Sequence, residues 1–134
     1  MEPRKIIDPD TLTFTDSKPV QANPDRYMQI TVDTAKIVES WSASLYSFEW
    51  LHDGKLKSGD DLKPSDREKQ KAVFASLDAG EALERPVLGI GIQDNAEIGS
   101  GRVIFLTLTK LGAKTLPVDI PKSCEADFKN FRAD

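Results

Sequence analysis

The chain has 134 residues, an apolar share of 39%, a charged share of 30% and a formal net charge of −4. That length suits one domain with one sizeable core, and the acidic balance argues against the broad basic footprint of a self-sufficient DNA reader. A single cysteine, Cys124, and a single histidine, His52, exclude a disulfide framework, a cysteine cage and a multi-histidine metal site.

No apolar run reaches the length of a membrane span, and Met1-Glu2-Pro3-Arg4-Lys5 leads into no signal-peptide core. A cytoplasmic location is therefore expected. Arg4 to Ile7 reads as a short strand closed by Asp8-Pro9-Asp10, because Pro9 biases Asp8 to extended backbone. Thr11 to Asn23 holds no clear period and contains Pro19 and Asn23-Pro24, so it reads as loop, with Leu12 and Phe14 docked on the core. Tyr27 to Val32 alternates and is rich in β-formers, which predicts a strand.

Asp33 or Thr34 then caps a helix. Ile37, Val38, Trp41, Leu45 and Phe48 share one face of it, and it is predicted to run to about Leu51 and stop at Gly54. Trp41, Tyr46, Phe48 and Trp50 make this the aromatic-rich part of the chain. Core packing is the expected use, and an aromatic groove for a base or a peptide is the alternative.

Lys55 to Lys63 is polar and reads as a surface loop. Its pair Asp60-Asp61 offers oxygen donors for a divalent cation, against the plainer reading of a solvated turn. Ser65 to Glu68 fits a capping box, and the helix it opens passes Ala72, Val73, Phe74 and Leu77 to stop at Gly80. The run Arg67 to Lys71 reads as a solvated face, with phosphate contact by Arg67 or Lys71 as the minority reading.

Glu81 to Arg85 reads as a connection with one helical turn, ended by Pro86. Val87 to Ile92 is almost continuously apolar, which predicts a strand buried on both faces. Gln93-Asp94-Asn95 is a tight turn and Ala96 to Ile98 a short return strand. The segment Arg102 to Leu111 is ambiguous: its β-branched residues lean to strand, and Gly112 looks like a helix stop. Thr115 to Ile120 is a last strand, in which Pro117 demands an edge or an N–H facing away from a neighbour. Ser123 caps a short helix that docks Phe128 and Phe131.

The one place offering chemistry is Gly99-Ser100-Gly101-Arg102. A glycine loop that opens a helix can hold an anion on its free N–H groups. Residues 85–114 carry four basic and two acidic side chains and form the only net-positive segment. This suits a local phosphate. Arg85 or Lys114 would assist, and Asp94 and Glu97 are the nearest carboxylates for any hydrolytic step. The plainer reading is a glycine turn with an exposed arginine.

The string Pro86-Val87, apolar strand, turn, short strand, Gly101-Arg102, apolar element, Leu111-Gly112, and a strand with Leu116-Pro117-Val118 resembles the ParB N-terminal and sulfiredoxin-like superfamily. The two glycines stand eleven positions apart, as in that family. The resemblance covers about residues 68–121 and implies an α+β fold, a small mixed β-sheet with helices packed on it. It places a single domain over 1–134, with an N-terminal strand and aromatic helix over 5–54 and a short C-terminal helix over 123–131.

The resemblance also makes Arg102 to Leu111 a helix. It implies a bacterial protein of plasmid or phage origin with a nucleotide site at Gly99, Ser100, Gly101 and Arg102. A nucleoside triphosphate with Mg²⁺ or DNA would be the ligand, and weak NTPase or nuclease chemistry the activity. Val103 and Ile104 stand where the family carries basic residues. Cys124 lies outside the loop, so sulfinic-acid reduction is not expected. The alternative is an interaction or inhibitor protein that has lost the nucleotide chemistry and acts on a protein partner.

Overall fold

The computed structural model describes residues 11–134, so the strand expected over Arg4–Ile7 and its turn lie outside the described residues. The architecture is α+β. A four-stranded mixed sheet has the order β2-β8-β6-β7, where β2 is Tyr27–Asp33, β6 Val87–Ile90, β7 Ala96–Ser100 and β8 Thr115–Pro121. β2 runs antiparallel to β8, β7 antiparallel to β6, and β6 parallel to β8.

Alternation sets the buried face. Ile30 opposes Val118 and Val32 opposes Leu116, and all four are buried. Thr31 opposes Pro117. Thr31 turns its backbone outward, accepting from Ala133 N at 2.9 Å and donating to Asp134 Oδ2 at 3.1 Å. Pro117 therefore sits at a position of the β2–β8 ladder that needs no N–H, although β8 is an inner strand. The tail, docked by buried Phe128 and its edge-on partner Phe131 at 5.7 Å, covers the outer edge of β2. It is built of the 3-10 turns Lys122–Cys124 and Ala126–Phe128, with Ser123 inside the first rather than capping a helix.

Helix α4, Arg102–Lys110, settles the ambiguous segment. Val103, Phe105, Leu106, Thr107 and Leu108 are all buried, and tertiary burial overrides their strand propensity. The threonine hydroxyls find partners: Thr109 Oγ1 donates to Phe105 O at 2.8 Å within the helix, and Thr107 Oγ1 accepts from Gln70 Nε2 at 3.4 Å across the fold. Gly112 closes the helix with φ +105°, and Ala113 N reaches back to Leu108 O.

Several expectations need correction. Residues 11–23 are not plain loop. They hold strand β1, Phe14–Thr15, and helix α1, Lys18–Ala22, where Pro19 falls in the first turn and costs no hydrogen bond. Helix α2, Thr34–Trp41, starts on Asp33, whose carboxylate accepts from Lys36 N, but it ends at Trp41 and not near Leu51. Its serines compete for the backbone: Ser42 Oγ donates to Glu39 O and Ser47 Oγ to Ser42 O and Ser44 O. Trp41 and Trp50 are fully buried, whereas Leu45 and Phe48 are 78% and 69% exposed.

Between Trp50 and helix α3, Pro64–Ala79, lies a hairpin of β3, Leu51–His52, and β4, Lys55–Leu56. Helix α3 opens on Pro64 with no side-chain cap. The predicted box is absent because proline takes the first helical position and Asp66 turns inward to Trp50. Residues 81–85 form no helical turn, since Pro86 keeps Arg85 extended. Strand β5, Leu83–Glu84, pairs in parallel with β1 instead. β6 ends at Ile90, and Ile92 is wholly exposed in the turn.

No helix among the described residues is long and apolar enough to cross a membrane. Phe128→Ala is expected to cost about 3–5 kcal/mol of unfolding free energy in urea. Phe48→Ser is expected to stay within about 0.5 kcal/mol.

Candidate functional site

Helices α3 and α4 and strand β5 enclose a cleft of about 570 Å³. Its apolar wall includes Val73, Leu83, Val103 and Ile104; Lys69, Ser76, Asp66 and Glu84 are its polar points, and Gly99, Gly101 and Arg102 complete it. The first intrahelical bond of α4 is Phe105 N to Gly101 O at 2.9 Å. The N–H groups of Arg102, Val103 and Ile104 precede that bond and sit beside the cleft.

Gly101 makes this approach possible. It has φ +74° and ψ +27°, and a Cβ there would stand 3.0 Å from Pro86 Cα and 3.2 Å from Pro86 Cβ. Only glycine meets both constraints without strain. Ser100 pairs with Val87 at the end of β7 and does not line the cleft.

Arg102 contributes to the wall, yet its guanidinium is committed elsewhere. It lies 5.8 Å from the Trp41 ring centroid and 5.2 Å from that of Tyr46. Its Nη1 is 3.8 Å from Glu49 Oε1, while Glu49 Oε2 accepts from Lys63 Nζ at 2.7 Å. That hydrogen bond, followed by the charges of Asp66 and Glu49, holds the Lys63 ammonium above its ordinary pKa despite opposition from desolvation and from Arg102. Asp66 accepts from buried Trp50 Nε1 at 3.1 Å. Two buried donors of this cluster, Arg102 Nε and Trp41 Nε1, have no acceptor. Each such orphan costs about 1–3 kcal/mol.

The other residues singled out in the sequence are spoken for or lie away. Arg85 donates to Asp16 at 2.6 Å and Asp119 at 3.1 Å. Burial opposes its charge, but those bonds outweigh it and hold the guanidinium above its ordinary value. Burial raises the Asp119 carboxyl, and Arg85 only partly opposes this. Ionising Asp119 therefore costs stability as pH rises through its raised pKa, a cost absent below the ordinary carboxylate value.

Lys114 lies beyond the cleft, where its carbonyl accepts from Thr34. Glu97 is used by Ser44 and Asn95, and Asp94 occupies the tight turn with φ +59°. Arg67 ties down the carbonyls of Gly59, Asp60 and Leu62. Lys71 meets Glu68 at the surface, and exposed His52 meets Asp53. Among the described residues no group of three or more His, Cys, Asp or Glu side chains is placed to hold a metal ion.

Glu49, Lys63, Asp66 and Lys69 escape sequence reasoning. The only signal was the Asp66, Gln70, Val73 spacing, which puts two polar residues on the buried side of α3. No protein-family model, curated protein or solved structure matches the chain.

Gly101→Ala is expected to lower stability by about 1–3 kcal/mol in urea denaturation. Gly89→Ala, where a Cβ meets nothing within 4 Å, should leave it nearly unchanged.

Proposed function

We propose that this chain is a ParB-like domain that binds a nucleotide, with the phosphates at Gly101 and Arg102 and the base towards the apolar wall of the cleft. The observation that carries the reading is the opening turn of α4. It sets backbone N–H groups that lie outside the intrahelical ladder on residues lining a cleft large enough for a small ligand, and Arg102, whose buried Nε has no acceptor, is one of those residues. The order of elements supports the family reading. A hairpin of β6 and β7 leads through Gly101 into a helix closed by Leu111-Gly112, and then into a strand containing Pro117-Val118.

Mg²⁺ fits this reading only as the partner of the ligand's phosphates, since Asp66 is spent on Trp50 and Glu84 is the remaining carboxylate of the wall. No hydrolytic step is assigned, because Asp94 and Glu97 do not line the cleft. A second reading, an interaction protein without nucleotide chemistry, draws on the exposed Leu45, Tyr46 and Phe48.

A thermal-shift series with CTP, ATP, GTP and a short DNA duplex, each with and without Mg²⁺, tests the proposal. Ligand at a hundred times its Kd should add about 2.7 kcal/mol of stability. Arg102→Ala should weaken binding more than tenfold with little change in the ligand-free Tm. No shift with any nucleotide at millimolar concentration would overturn the proposal and favour the interaction reading.

A further inference from the structure

We propose that Glu49 is the built-in occupant of the anion site, and that a phosphate-bearing ligand binds by replacing the Glu49 carboxylate between Lys63 and Arg102. The inference rests on the nucleotide reading above and adds a regulatory contact to it.

Glu49 follows exposed Phe48 and precedes buried Trp50. Its side chain is only 17% exposed, because it reaches in to the two cations. The fit is lopsided. One carboxylate oxygen makes a good bond to Lys63, and the other is 3.8 Å from Arg102, too far for a hydrogen bond. The Arg102 guanidinium lies in cation–π range of Trp41 and Tyr46, yet its Nε has no acceptor, and neither has Trp41 Nε1. A carboxylate with two oxygens leaves donors of this cluster unserved. A phosphate has more acceptor oxygens and charge, and a guanidinium suits it.

The segment that carries Glu49 is suited to release. Between Ser42 and Trp50 it is not a regular α-helix: it is held by short turn bonds such as Glu49 N to Tyr46 O at 3.2 Å and by serine hydroxyls, including Ser44 to Glu97. Its large side chains Leu45, Tyr46 and Phe48 are mostly exposed, so withdrawing Glu49 breaks little apolar packing. The competing account is that Glu49 only staples α3 to α4.

Isothermal titration of CTP, ATP and GTP, each with Mg²⁺, into wild type, Glu49→Gln, Glu49→Asp and Arg102→Ala separates the two accounts. The expected result is at least fivefold tighter binding of one nucleotide by both Glu49 variants and at least tenfold weaker binding by Arg102→Ala. The aspartate keeps the charge and shortens the arm, so a gain there is not a general charge effect. A nucleotide that binds wild type through Arg102 but gains nothing in either Glu49 variant overturns the latch and leaves the nucleotide reading standing. Absence of binding by every protein overturns both. Hydrogen exchange on wild type needs no variant to fold: residues 43–50 should exchange faster at nucleotide saturation, and unchanged or slower exchange contradicts the latch.

Discussion

The chain leaves β7 and enters α4 through Gly101, whose backbone lies so close to Pro86 that a side chain there would collide with the proline. Pro86 in turn accepts a hydrogen bond from Asp119 N, and its neighbour Arg85 is paired with the Asp119 carboxylate. Three elements thus meet at one contact: the start of β6, the start of α4 and the middle of β8. Where α4 begins, and so where its free N–H groups lie, follows from this junction and not from the propensity of the helix itself. The only conformation that satisfies it, left-handed at position 101, is closed to a β-branched or bulky residue.

Much of the core was legible because it obeys simple periods. The alternation in Tyr27–Val32 became β2, the apolar run after Pro86 became β6, and Gly80 and Gly112 stopped helices as their type suggests. The failures share a cause, which is tertiary context or local competition that a period cannot express. Leu45 and Phe48 continue the helical spacing of Ile37 and Trp41, but four serines between positions 40 and 47 offer the backbone other partners, and the helix stops. The segment after Arg102 carries strand-like residues, yet burial on most sides of a nine-residue helix decides its state.

The site was half legible. The glycine loop and Arg102 announce themselves by residue type, because left-handed backbone and an arginine beside it in a net-positive segment are local properties. Glu49 and Lys63 do not, since 53 and 39 positions separate them from Arg102 and only the fold brings them together. Their presence changes the electrostatics. The sequence reading gives an arginine that either serves a phosphate or is simply exposed; the structure gives an arginine in cation–π range of two aromatic rings, facing an internal carboxylate and short of acceptors. Burial of unspent donors is costly, and a ligand that serves them gains correspondingly.

The most direct measurement of the nucleotide site is a ¹H–¹⁵N NMR titration with CTP, ATP and GTP in the presence of Mg²⁺, followed at the backbone amides and at the Arg102 Nε–H. The account predicts saturable shifts of the amides of Gly101 to Ile104 and of the Arg102 side-chain resonance with one of the three nucleotides. Unmoved resonances at those positions, or shifts confined to residues away from the α4 opening turn, would contradict it.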